Sequence, residues 1–249
     1  MSLPSVLVTG GGRRIGAGLA RAFGNAGWHV VIHYRSSRDE AEAVASELPS
    51  AETIGFDLAD IEAATSALKH LIDRLPALRV LINCASVFEN DSVTALDGST
   101  YDSAMTVNAR APVQLAQTFL QYGRGESGRC VIQFTDMKLE NTNPDFFSYT
   151  MSKHAVAGAI PMLSMARPDP RDRIYGIAPG AILASHDQKE DETEISHRLN
   201  LLRRKTSVGD ISEAALFLSE GFLASGETIF VDGGQHLLSQ PRDVIYLAR

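Results

Sequence analysis

The chain has 249 residues, 44% of them hydrophobic and 21% charged, with 23 Lys and Arg against 30 Asp and Glu for a net charge of −7. That length fits one α/β domain with a sizeable core, and the apolar content excludes a disordered chain. The acidic balance without a basic stripe argues against nucleic acid as a partner, and no apolar run nears the roughly 20 residues that cross a bilayer. No charged start followed by a long apolar stretch marks an export signal. Cys84 and Cys130 lie outside any metal-ligand spacing and read as buried free thiols. These features point to a cytoplasmic enzyme that uses no metal.

Apolar runs at residues 5–9, 29–33, 53–56, 80–83, 130–134, 173–177 and 228–231 alternate with helical patterns beginning near Arg14, Arg38, Ile61, Ser103, Ser148 and Ser212. Strand then helix, repeated, builds a parallel sheet covered on both faces. The expectation is one doubly wound α/β domain over residues 1–249 with about seven strands. Pro161 falls inside a predicted helix and is expected to interrupt it. Residues 179–207 follow a strand and so lie at the carboxyl edge of the sheet, where ligands bind. Their mixed charges read either as a solvated helix or as a substrate-covering segment, with His186 a surface histidine. The extension 239–249 carries Val244, Ile245, Tyr246 and Leu247. It covers a neighbouring subunit's pocket or docks on its own core.

The first strand runs into Gly10-Gly11-Gly12-Arg13-Arg14-Ile15-Gly16 and then a helix. Glycines let the backbone turn tightly against a pyrophosphate, and a helix N-terminus attracts it. The strict dinucleotide pattern is not met, because Ile15 occupies the place of the third glycine. NAD binders usually carry an acid after the second strand; here that strand ends Tyr34-Arg35-Ser36-Ser37, with no acid until Asp39. Arg35 and Ser36 offer a guanidinium fork and a hydroxyl to a 2′-phosphate, and Arg13 and Arg14 add charge in the turn, favouring NADPH. Solvated surface arginines are the plainer alternative. Further along, Tyr149 and Lys153 lie four residues apart on one helix face, where a Lys charge is expected to draw the phenol's pKa down toward the working range.

Together with Thr9-Gly10 and Gly16, Asp57-Leu58, Asn83-Cys84-Ala85-Ser86, Asn108, Pro179-Gly180 and Asp232-Gly233-Gly234, this pair resembles the short-chain dehydrogenase/reductase family over almost the whole chain. The resemblance implies a Rossmann-like sheet, a nicotinamide cofactor, hydride transfer and a homo-oligomer, a tetramer or a dimer. It makes Tyr149 the proton donor, Lys153 the ribose and Tyr partner, and Asn108 the support of a relay water. It places Asp57 and Leu58 by the adenine, with Asn83, Ala85, Ser86, Pro179 and Gly180 also beside the cofactor.

Two departures narrow the reading. Arg14 stands where the family usually has glycine, and Asp136 where it has a catalytic Ser. A carboxylate only accepts hydrogen bonds, so Asp136 suits a substrate that presents N–H groups. The combination is similar to the pteridine reductase branch, including bacterial dihydromonapterin reductases. That likeness implies reduction of a dihydropterin such as dihydromonapterin or dihydrobiopterin, with Ser86, Phe88, Asp136 and Tyr149 around the substrate. Phe88 would stack on the pterin, or it is a core residue; Ser86 would bond substrate or cofactor, or merely fits as a small residue. Reduction of another carbonyl or imine, such as a 3-oxoacyl thioester, and a non-catalytic NADPH-binding protein are the rival readings.

Overall fold

The computed structural model describes residues 3–124, 128–185 and 188–248. His186 and Asp187, two of the residues assigned above to the 179–207 segment, and Arg249 of the extension lie outside the described residues. Seven strands, β1 (Ser5–Val8), β2 (His29–Tyr34), β3 (Ala51–Gly55), β4 (Leu78–Asn83), β5 (Cys130–Phe134), β6 (Arg173–Pro179) and β7 (Thr228–Val231), form one sheet. Its order is β3-β2-β1-β4-β5-β6-β7, and every pairing is parallel. The expected doubly wound fold is therefore present. The chain moves outward in both directions from β1 and β4, so their carboxyl ends bound the crevice at the switch point.

Strand alternation decides which helices cover which face. Val6, Val8, Val30, Ile32, Val80 and Ile82 pack beneath α1 (Arg14–Asn25), α2 (Arg38–Ser46) and α8 (Val208–Ser219). Leu7, Val31, Leu81 and Val131 point the other way, onto α3 (Ile61–Arg74), α5 (Ala111–Tyr122) and α6 (Phe147–Ala166). Because both faces are covered, β1 is buried at every position, and Val6, Leu7 and Val8 form an unbroken apolar run. Each such Val, Leu or Ile stabilises the fold by about 1.5–3 kcal/mol relative to exposure.

Two helices start earlier than the apolar period suggests, because capping side chains set their ends. Asp97 accepts the Thr100 N–H at 2.7 Å and opens α4 (Gly98–Ala104), which continues through a π-helical turn, Met105–Arg110, into α5. Ser207 and Asp210 form a reciprocal capping box that opens α8 at Val208. The expected interruption at Pro161 is absent: α6 runs through it for 20 residues. Pro161 lies on the exposed face, where water can serve the carbonyl that loses its N–H partner. Residues 179–207 contain the short helix α7 (Glu190–Ser196), and the chain's end forms α9 (Val244–Leu247). Among the described residues no helix is long and apolar enough to cross a membrane.

Candidate active site

The carboxyl ends of β1, β2, β4, β5 and β6 open into one cleft of about 610 Å³. At its β1 side, Thr9 Oγ1 accepts the N–H groups of Cys84 and Ala85 at 3.0 and 3.1 Å, stitching the turn after β1 to the turn after β4. Gly10 has φ +65°, and a Cβ there would lie 3.0 Å from Ala85 Cα. A side chain is thus excluded by conformation and by space. At Gly16 a Cβ would fall 2.2 Å from Gly10 O, so Gly16 supplies the close helix approach that the strict motif assigns one position earlier, where Ile15 stands.

Beneath this turn lies a residue that the sequence did not single out. His33 is buried, its Nδ1 accepts the Gly10 N–H at 3.1 Å, and its Nε2 faces Phe56 O at 3.0 Å. The first bond fixes the tautomer, so Nε2 carries the proton and donates to the carbonyl. Burial pushes the imidazole down to about 4, against smaller upward pulls from Phe56 O and Asp57. A neutral imidazole therefore holds the glycine turn in place.

The arginines divide their work. Arg13 pairs with Glu40. Arg14 adopts φ +52°, a conformation that glycine meets without cost, and its guanidinium donates to Ala184 O at 3.0 Å across the cleft. That reach explains why a long side chain stands at a position the backbone would give to glycine. Arg35 lines the same corner with Tyr34 and Ser36 and has no acidic partner among the described residues. Asp57 and Leu58 close that end, with the Asp57 carboxylate accepting the Ala59 N–H at 2.9 Å.

At the opposite end, Tyr149 donates from its hydroxyl to Asp136 Oδ2 at 2.7 Å, while Asp136 Oδ1 accepts the Lys138 N–H at 2.9 Å. Lys153 donates to Phe134 O at 2.9 Å and lies 5.4 Å from the centre of the Tyr149 ring. Burial lowers Lys153 to about 8. Burial raises Asp136, against Lys138. The Tyr149 phenol is pushed well above its ordinary range, by burial first and by Asp136 next. In place of the downward pull expected from Lys153, the phenol feels burial and the neighbouring Asp136, and its hydroxyl donates to that carboxylate. Phe88 stacks on Phe146 at 4.2 Å with 19° between the rings and meets Tyr149 edge-on at 4.7 Å. Phe146 holds φ +54° at the head of α6, a strained conformation for a bulky residue. The Asp91 carboxylate bonds the Ser148 N–H and hydroxyl and anchors the same helix start.

Gly10, Arg13, Arg14, Ile15, Gly16, Tyr34, Arg35, Ser36, Asp57, Leu58, Ala85, Ser86, Phe88, Asp136, Tyr149, Lys153, Pro179 and Gly180 all line the cleft. Asn83 and Asn108 stand behind its wall. Asn83 donates to Pro112 O at 3.2 Å. The Asn108 amide bonds both backbone groups of Val87, at 2.8 and 2.9 Å, and the Ser152 hydroxyl at 3.1 Å. Its side chain clasps the Phe88 loop to α6. Cys84 and Cys130 are thiols that burial pushes up to about 12, consistent with inert free cysteines.

Residues 179–207 supply Leu183, Ser185, Gln188 and His197 to the cleft, while Glu194 and Arg198 pair on the solvent side. The segment thus has one face on the cleft and another in solvent. The extension docks on its own chain, and Gln240, Asp243, Val244 and Ile245 line the same cleft. Neither Lys138 nor this extension was marked by a motif; the apolar run at residues 244–247 was the available signal.

A parallel sheet with a glycine turn at its switch point and a Tyr-Lys pair at its carboxyl edge defines a Rossmann-like dinucleotide-binding architecture. The model of the short chain dehydrogenase family matches residues 4–195. The structure is similar to FolM alternative dihydrofolate reductase 1 from Brucella canis, complexed with NADP, at 33% identity and a TM-score of 0.89 over 96% of both chains. The corresponding Brucella suis protein, also with NADP, gives 33% and 0.88 over 95% of this chain and 96% of that one. In sequence the chain is 27% identical to a probable galactose dehydrogenase of Rhizobium meliloti, over 92% of this chain and 93% of that protein. This chain belongs to the short-chain dehydrogenase family and is an oxidoreductase.

Proposed function

We propose that the chain is an NADPH-dependent reductase of pterins, taking a 7,8-dihydropterin to its tetrahydro form. The observation that carries this reading is the half-buried Asp136 carboxylate, 2.7 Å from the Tyr149 hydroxyl. It is an acceptor where reduction of a simple ketone would call for a donor. The likeness to NADP-bound alternative dihydrofolate reductases adds support.

The residues present fit the cofactor. At the Gly10 turn a Cβ would collide with Ala85, so close backbone approach is built in. The 10–16 turn and the start of α1 would hold the pyrophosphate, with Arg35, Ser36 and Arg13 at the 2′-phosphate once Glu40 yields. Tyr34, Asp57 and Leu58 would surround the adenine, and Ala85, Ser86, Lys153, Pro179 and Gly180 the nicotinamide half. When bound, the cofactor supplies the hydride that reduces the ring C=N bond.

The chain's own residues do the rest. Tyr149 holds a proton for the ring nitrogen, and Asp136 keeps the phenol aimed and accepts from the substrate's N–H edge. Lys153 holds positive charge behind both, and Phe88, backed by Phe146, offers its other face to a flat heterocycle. Residues 179–207 would cover the bound substrate, with Arg14 fastening them to the phosphate turn. The test is steady-state oxidation of NADPH and NADH with 7,8-dihydromonapterin, dihydroneopterin and dihydrobiopterin. Turnover with NADPH on at least one is expected; silence on all three, with NADPH bound, overturns the reading.

A further inference from the structure

The outer wall of the cleft is built from the end of the same chain, and it is held by two buried charges. Lys138 Nζ lies 2.6 Å from Asp243 Oδ2, with both side chains under a tenth exposed. The same ammonium donates to Asp145 O at 3.3 Å and sits 5.0 Å above the Phe146 ring. Asp145 in turn accepts the Asp243 N–H and the Arg242 guanidinium, each at 2.8 Å, and Asp243 accepts the Ile245 N–H at 3.1 Å. Every charge in this group has a partner. A buried ion pair rarely stabilises more than apolar side chains of the same volume, but it fixes one register.

Two links join this group to the reacting end. Lys138 follows Asp136 by two residues, and its N–H holds the Asp136 carboxylate. Tyr246 lies nearly parallel to Phe146, at 6.2 Å and 16°, and Phe146 stacks on Phe88. The extension thus backs the aromatic column whose inner ring is Phe88, while Val244 and Ile245 line the cleft beside it.

We propose that residues 240–247 are a specificity-determining wall of the substrate pocket in their own subunit, latched by the Lys138–Asp243 pair. The wall limits the length of the group that a bound substrate carries beyond its reacting ring. Lys138 and Asp243 are positioning residues. This rests on the pterin reading for the substrate named but not for the wall itself.

The experiment compares wild type with Lys138→Met, Asp243→Asn and a chain ended after Gln240, all loaded with NADPH. Amide hydrogen exchange over residues 243–247 reads the latch; the kcat/KM ratio of 6-methyl-7,8-dihydropterin to dihydrofolate reads the wall. Exchange is expected to quicken about tenfold in both point variants. The ratio is expected to shift about tenfold toward dihydrofolate in all three, the size of effect one pocket contact commands. A ratio unchanged in the shortened chain overturns the wall, and unchanged exchange in both point variants overturns the latch. Where a point variant does not fold, the shortened chain still decides the wall. If wild type reduces no dihydropterin, the functional reading fails, and the wall is read from the ratio of short to long 3-oxoacyl thioesters.

Discussion

His33 ties acid stability to the glycine turn, and its contribution has a defined pH window. Its imidazole falls from 6.5 to about 4 on folding because burial disfavours the charged form. Between those values the unfolded chain binds a proton that the native chain does not, so stability is present above the unfolded pKa and lost as pH falls toward 4. With these two pKa values the loss between pH 7.5 and 4.5 is about 2–3 kcal/mol, or roughly 5–10 °C in Tm for a chain of this size. His33→Gln keeps an acceptor and a donor at this place without the titration. Urea unfolding of both proteins across that range isolates the effect, since other carboxylates and histidines contribute equally to each. Wild type should exceed the variant most at pH 7.5, and the gap should close by about 2–3 kcal/mol at pH 4.5. A gap independent of pH would refute the buried neutral imidazole.

Asp136→Asn keeps the shape but removes a charge-assisted acceptor worth about 1.5–3 kcal/mol, so turnover should fall roughly 10- to 150-fold. Because burial raises the Asp136 pKa, its ionised form costs stability above that pKa, and the variant's Tm at neutral pH should hold or rise; a fall would contradict it. Lys153, lowered to about 8 by burial, predicts that kcat/KM for NADPH falls as pH rises through that value, a limb absent in Lys153→Met. A flat wild-type profile would remove Lys153's charge from the reaction. Arg14→Gly relieves a left-handed residue at φ +52° while losing exposed hydrogen bonds, so its net effect on stability should stay within about 1 kcal/mol. Its substrate KM should rise severalfold as the clasp to Ala184 is lost, and an unchanged KM would show that the clasp plays no part.

Most strands were legible because they are short apolar runs between turn residues, and β5 and β7 match the expected bounds, whereas β3, with Glu52 and Thr53 in it, starts two residues before its apolar run. The helix starts at Gly98 and Val208 were read late, since the deciding residues, Asp97 and Ser207, act by side-chain capping and not by apolar period. The cleft's two ends were legible from the 10–16 turn and the Tyr149-Lys153 pair, whose parts are close in sequence. His33 was not, because its meaning depends on a contact with Gly10, 23 residues away. Lys138 and Asp243 were hidden for the same reason, joined only when the extension folds back on the loop before α6. The phenol's upward shift depends on the depth of the Asp136-Tyr149 pair, which spacing does not convey.

Selection of nitrogen heterocycles over ketones is what the proposed function assigns to the Asp136 carboxylate. It is tested most directly by kcat/KM for NADPH-driven reduction of a 7,8-dihydropterin and of an acetoacetyl thioester, in wild type and in Asp136→Ser. Wild type should prefer the dihydropterin by about hundredfold or more, and the serine variant should lose most of that preference. Equal or greater wild-type activity on the thioester would contradict the claim.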